Sequence, residues 1–149
     1  MSLKRSTQSA IGFRPNYLSI IAAVAAALCS SVAEAADHTW TGAGTSRNWS
    51  TPANWSLALD NDGTDDLIFG AATKLNPRAN NGWDINSITF SALGNGNLTG
   101  FTISGLTTDE ILLEAGSGIG LVNNSTLLQT INTKITLGAS QTFNAAFGS

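Results

Sequence analysis

The residues best equipped for chemistry are the acids of Asp60-Asn61-Asp62-Gly63-Thr64-Asp65-Asp66 and the tryptophans before them, Trp40, Trp49 and Trp55. Calcium takes several oxygen ligands at close quarters, and carboxylates at 60, 62 and 65 could supply them. The spacing departs from a helix-loop-helix calcium site: glycine follows Asp62 directly, and no glutamate stands at the twelfth position. The competing reading is a solvated acidic turn that caps a strand. Asp60, Asp62 and Asp65 are therefore a weak calcium candidate. The three indoles, with carboxylates nearby, have two uses. They suit a platform for glycan stacking, or a plug over the open end of an apolar core.

Acid–base and nucleophilic catalysis have little to draw on. His38 is the only histidine and Cys29 the only cysteine, so no Ser-His-Asp arrangement or thiolate site forms after residue 38 without a partner. Beyond Asp84 the acids are Asp109, Glu110 and Glu114, and beyond Arg78 the one basic residue is Lys134. General acid–base work needs paired groups held close together, and nothing in the spacing brings Lys134 to Glu114. No catalytic or cofactor-binding residue is expected, and the chain is not expected to be an enzyme. Asn-x-Ser/Thr triplets begin at Asn48, Asn54, Asn97, Asn123 and Asn124, as chance predicts in a chain this rich in those types.

Those residues follow a segment built for export. Lys4, Arg5 and Arg14 precede an apolar run from Leu18 to Cys29, and Ala33-Glu34-Ala35 provides the small residues a signal peptidase reads. The run is too short to span a hydrocarbon core of about 30 Å comfortably. Residues 1–35 are therefore expected to be a signal peptide, with no permanent transmembrane segment. Leu28 before Cys29 argues against lipidation. The absence of cysteine afterwards suits a bacterial exported protein. The expected location is extracellular or at the outer cell surface, with the periplasm second.

From Ala36 onward, four basic residues face nine acidic ones, a net charge of −5 without any basic run. That excludes a nucleic-acid interface. Thr, Ser, Asn and Gly supply 53 of these 114 residues, and no stretch carries helical apolar spacing over three turns. Trp, Phe, Ile and Leu are too frequent for a purely solvated chain, so an all-β body with many turns is expected.

Residues 36–84 form a Trp- and Asp-rich region, in which residues 66–70 read as one short buried strand closed by glycine. Residues 85–149 hold pairs of apolar residues two apart: Ile88 and Phe90, Phe101 and Ile103, Ile111 and Leu113, Ile119 and Leu121, Ile135 and Leu137. Strand side chains alternate, so each pair shares one face. Gly/Asn corners at 94–97, Gly105, 116–118 and 123–125 separate them. Short sides joined by sharp corners predict a β-solenoid of about three coils. An antiparallel sandwich or barrel would give a similar pattern. The sequence breaks off in mid-pattern at 141–149 with no charge after Lys134, as though truncated at that end.

The stretches Thr39-Trp40-Thr41-Gly42-Ala43-Gly44, Asn48-Trp49-Ser50, Ala53-Asn54-Trp55, Asp65-Asp66-Leu67-Ile68-Phe69 and Asn86-Ser87-Ile88-Thr89-Phe90 occur in that order. This order resembles the start of bacterial proteins with autotransporter-associated β-strand repeats. Asn123-Asn124-Ser125, Gln129-Thr130-Ile131-Asn132 and residues 135–143 resemble the repeat body. The resemblance covers 37–147 and implies a right-handed parallel β-helix: an amino-terminal cap over 36–84, then coils over 85–149. It brings no catalytic residues.

The expected function is a non-enzymatic exported structural or adhesive passenger segment; the alternative is a carbohydrate-binding or polysaccharide-lyase module. Expected partners are further repeats of the same protein, self-association through the carboxy-terminal end, or surface glycans. Amino-terminal sequencing of exported material should begin at Ala36. Membrane-bound protein that retains Met1 would reject the leader.

Overall fold

The computed structural model describes residues 35–92, 99–116 and 118–145. The leader up to residue 34, the turn expected at 94–97, Ser117 and residues 146–149, with Phe147, lie outside the described residues.

Among the described residues, alternation of apolar with small or polar residues produces ten short strands: β1 (Ala36–Trp40), β2 (Asp65–Phe69), β3 (Gly82–Ile85), β4 (Ser87–Phe90), β5 (Thr102–Ser104), β6 (Glu110–Leu113), β7 (Ile119–Asn123), β8 (Thr130–Asn132), β9 (Lys134–Leu137) and β10 (Thr142–Ala145). Their Ile, Thr, Phe and Trp content suits a pleated, half-buried surface. One 3-10 turn, Pro52–Asn54, opens on proline, whose fixed φ is already helical. Among the described residues no helix is long and apolar enough to cross a membrane.

Three sheets hold the strands, ordered β1-β2-β4-β7-β10, β3-β6-β9 and β5-β8. Every strand pair is parallel, so the antiparallel sandwich or barrel falls away. From β4 onward the chain visits the sheets in a fixed order, β4-β5-β6, then β7-β8-β9, then β10. Each visit lands beside the strand left on the previous one. Single bridges from Asn48 to Arg78 and from Arg78 to Ser104 extend the third sheet's column toward β1. Parallel sheets usually hide both faces under helices. Here β2, β4 and β6 alternate buried with half-buried residues, so one face packs on a shared core and the other meets water.

The core is built of rows. Leu67, Ile88, Leu121 and Phe143 stand in register across β2, β4, β7 and β10. Trp83, Ile111 and Ile135 form a second row, and Ile85, Leu113 and Leu137 a third. Ile103 faces Ile131. Phe69 is the hub, with its ring centroid 5.3 Å from Phe101, 5.5 Å from Phe90 and 6.3 Å from Trp40. The rows close tightly at Gly100, where a Cβ would fall 2.0 Å from the Leu128 carbonyl oxygen. Backbone cannot yield there, so glycine is required.

The expected inward set is buried in its earlier members and open in its later ones. Ile88, Phe90, Phe101, Ile103, Ile111 and Leu113 are buried, whereas Leu121 and Ile135 are only partly buried against the core. Leu137 is 51% exposed and Ile119 45%, so neither is buried as its pairing with Ile135 or Leu121 led one to expect. Leu137 continues the Ile85–Leu113 row, but among the described residues no strand lies beyond β9. Its outer side therefore meets solvent. Leu112 stands on the outward face, between Asp84 and Thr136.

Ile111→Ala should cost about 2–5 kcal/mol, as other buried large-to-small changes do, and Leu137→Ala under about 1 kcal/mol. Urea denaturation of both variants checks the gradient. Equal losses would contradict it.

Candidate functional site

The indoles collect at the β1 end. Trp40 and Trp55 meet edge to face at 5.1 Å and 77°, and Trp49 and Trp55 at 5.8 Å and 82°. That geometry sets ring edges against ring faces, as the aromatic quadrupole favours. Trp49 also packs on Trp83 at 6.0 Å. Glycan stacking needs an open ring face, yet Trp40, Trp49 and Trp55 are 0, 1 and 5% exposed. Their faces are taken up by one another and by Phe69. Trp40 Nε1 donates to the Lys74 carbonyl at 2.8 Å, and Trp55 Nε1 to the Trp49 carbonyl at 2.9 Å. Trp49 Nε1 has no acceptor among the described residues.

Asn54 holds the chain over these rings. It is fully buried, at 0% exposure. Its Nδ2 donates to the carbonyls of Asn48 at 2.9 Å and Ser46 at 3.3 Å, while its Oδ1 accepts from Gly44 N at 2.9 Å. Its own carbonyl accepts from Thr41 N at 2.7 Å and Gly42 N at 3.2 Å. Lys74 Nζ donates to the carbonyls of Gly42 and Gly44, fastening the same loop from the other side.

These loops cover the strand edges. Trp55 bridges Trp40 antiparallel, Ser56 N donates to the Thr39 carbonyl at 2.8 Å, and Thr39 N donates to Ser56 Oγ at 2.9 Å. That uses the side of β1 turned away from β2. On β3, Gly63 N donates to the Asp84 carbonyl at 3.0 Å, and Asp84 N donates to Asn61 Oδ1 at 2.6 Å. Among the described residues nothing equivalent pairs with the outer sides of β8, β9 or β10. There Phe90, Leu121, Ile131, Ile135 and Phe143 surround an open hollow of about 330 Å³.

The calcium candidates are not gathered. Asp65 is buried beneath the loop, with Oδ2 accepting from Asp60 N at 3.0 Å and Asn61 N at 3.1 Å. Its Oδ1 lies 3.0 Å from His38 Nε2, close but off the hydrogen-bond direction, and His38 Nδ1 donates to the Leu57 carbonyl at 2.9 Å. Asp62 turns instead to Thr64, whose hydroxyl donates at 2.7 Å and amide at 3.0 Å. Those two bonds, the hydroxyl's first, hold its carboxyl below the usual carboxylate range. The Asp60 side chain is exposed. Among the described residues no three His, Cys, Asp or Glu side chains come together as a metal site. The trio is taken apart by local capping.

The later acids also have local work. Asp109 accepts from Leu106 N at 2.6 Å and Asn81 N at 3.1 Å. Lys134 pairs with Glu110 at 2.9 Å, and Thr136 donates to the same carboxylate. Lys134 and then Thr136 hold the Glu110 carboxyl below its ordinary value. Spacing did not reveal that Lys134 faces Glu110. Parallel register did, since Glu110 and Lys134 are Cα partners. His38, Asn54 and Lys74 also went unsuspected as structural residues, because their partners are main-chain carbonyls and amides brought near by the folded loops, which leave no side-chain motif in the sequence.

No family model, no curated protein and no solved structure matches the chain.

Asp65→Ala removes the acceptor of the Asp60 and Asn61 amides and a buried side chain beside His38, and should cost about 1–3 kcal/mol. Asp60→Ala should stay within about 0.5 kcal/mol. Added calcium should move neither melting midpoint; an upward shift in the wild type, absent in the Asp60→Ala variant, would restore the metal site.

Glu110 should titrate below the ordinary glutamate range, held there by Lys134 and then Thr136. Because its folded value is depressed, the contribution of its ionised form is present above the unfolded value and is lost as pH falls through the folded one. Lys134→Ala should move the titration upward by carboxyl-detected NMR.

Proposed function

We propose that the chain is a non-enzymatic, exported structural or adhesive segment of a bacterial cell-surface or extracellular protein. In this reading its three sheets are the sides of a short right-handed parallel β-helix, and the Trp-rich region is its amino-terminal cap. The observation that carries the reading is the contrast between the ends of the stack. The β1 end has its edges hydrogen-bonded over and its interior filled with indoles, while among the described residues no strand or loop pairs with the outer edge of β10. A structural segment needs one finished end and one that joins a neighbour. Right-handedness follows from the strong preference of parallel crossover connections. The resemblance to proteins with autotransporter-associated β-strand repeats supports the same reading, and the leader-like residues 1–35 support export. Glycans remain the partner for an adhesive role through the outer faces, not through the buried indoles.

Deleting residues 36–57 removes the cap and β1 together, exposing Phe69 and the edge of β2. The variant should aggregate, with loss of the cooperative melt, as read by light scattering and calorimetry. A glycan array probed with the intact chain should show no signal that depends on Trp40, Trp49 or Trp55. A stable, monodisperse deletion that had lost glycan binding would make the tryptophans a ligand platform and favour the carbohydrate-binding alternative.

A further inference from the structure

Resting on the adhesive reading above, we propose that Arg47 and Arg78 form its binding site, and that they take the carboxylates of a uronate-bearing polysaccharide. From Ala36 onward the bases are Arg47, Lys74, Arg78 and Lys134. Two of them are used within the fold. Lys74 Nζ donates to the carbonyls of Gly42 and Gly44, and Lys134 pairs with Glu110 at 2.9 Å. The other two are left over. Among the described residues no carboxylate stands within ion-pair distance of either guanidinium, although acids outnumber bases nine to four from Ala36 onward.

The fold makes these two leftover cations neighbours. Arg78 N donates to the Arg47 carbonyl at 2.7 Å, and Trp49 N donates to the Arg78 carbonyl at 2.9 Å. Arg47 is exposed and Arg78 half-buried, so solvent reaches both. A polar row continues from them across the layers. Asn48 bridges Arg78, Arg78 bridges Ser104, and Ser104 pairs with Asn132. Ala79 and Ile103, the next residue and the preceding one, are fully buried, so the row faces outward. Strands about 4.8 Å apart make it about 14 Å long. Asp109, the acid between β5 and β6, is 6% exposed and turned to Leu106 N and Asn81 N, so it does not neutralise this side.

The occupant follows from that chemistry. A guanidinium holds a carboxylate through two parallel N–H bonds. Asn48, Ser104 and Asn132 offer amide and hydroxyl groups that both donate to and accept from sugar hydroxyls. The net charge of −5 from Ala36 onward repels a dense polyanion at long range. Nucleic acid, with a charge every ~1.7 Å of duplex, is therefore a poor fit. A polyuronate spaces its single carboxylates one sugar apart among neutral hydroxyls, which suits two arginines followed by an uncharged row.

Calorimetric titration of the purified chain with polygalacturonate should show binding, and titration with its methyl ester, the same backbone without the charge, should not. Arg47→Gln and Arg78→Gln should each weaken binding about tenfold or more without moving the melting midpoint. Arg78→Lys keeps the charge but loses the fork and should fall between. Lys134→Gln, which removes a cation already spent on Glu110, should leave binding unchanged. No binding of polygalacturonate, equal binding of the ester, or an equal loss in Lys134→Gln would overturn the site. So would a salt-sensitive rise in mass of the chain alone that Arg78→Gln abolishes, since the arginines would then meet the acids of a second copy. A glycan array separates this site from the reading it rests on. Signals that survive both arginine variants would sink only the site, whereas silence toward every glycan would sink glycan adhesion with it.

Discussion

Backbone hydrogen bonding at the ends of the stack is the constraint on which the rest depends. An inner strand such as β2 or β4 is satisfied by the strands on either side of it. A terminal strand has one row of donors and acceptors with no such partner, and a buried orphan costs about as much as a lost hydrogen bond. At β1 the chain answers with its own loops. Residues 55–56 lie antiparallel along the strand, and Asn54 presents a side-chain amide that bonds like a peptide. Parallel strands thus end against a segment that need not be another parallel strand. The loop bends to its task because Pro52 starts a 3-10 turn just before Asn54.

Closing an end also demands bulk. The last layer of aliphatic rows leaves a cross-section that Leu or Ile cannot fill from one side, and the four tryptophans stand nearest to it. Trp40, Trp49 and Trp55 lean on Phe69, and Phe69 passes the contact on to Phe90 and Phe101. Burial then falls along each row, from Ile85 and Leu113 to Leu137, and from Leu67 and Ile88 to Phe143. Local stability follows contact density, so the molecule is firmest where it is capped and weakest at its open end. The polarity of the stack is a consequence of where the aromatic residues were placed.

Much of this was legible in the residues, and what was not has a physical reason. Pairs such as Ile88 and Phe90 marked their strands because alternation is a local signal. Alternation is the same in parallel and antiparallel strands, so the pairing direction stayed open until the register was seen. β8 carries Ile131 alone between Thr130 and Asn132 and gave no pair to read. The tryptophans announced a cluster by spacing, but exposure depends on the loop that folds over them. The acids of 60–66 looked like one group. They are separated because Asp62 and Asp65 each find donors within a few residues, a local competition that favours capping over metal binding.

Register itself needs more than the apolar rows. A slip of one residue would turn every inward side chain outward, but a slip of two keeps Leu, Ile and Phe inside and is opposed only weakly by packing. The polar cross-links between layers supply the missing specification. Asp66 accepts from Asn86 Nδ2 at 2.8 Å and from Ser87 Oγ, joining β2 to the start of β4. Asn86 Oδ1 in turn accepts from Gly116 N at 2.6 Å, and Gln129 Oε1 accepts from Phe101 N at 2.7 Å. A two-residue slip would break each of these bonds and leave half-buried amides unpaired, at a cost of about 1–3 kcal/mol apiece. At the capped end the Asp65 carboxylate binds the Asp60 and Asn61 amides and the His38 ring binds the Leu57 carbonyl, so both tie the 57–61 loop to the first layer. The apolar rows hold the layers together, and these few side chains decide where along one another the layers sit.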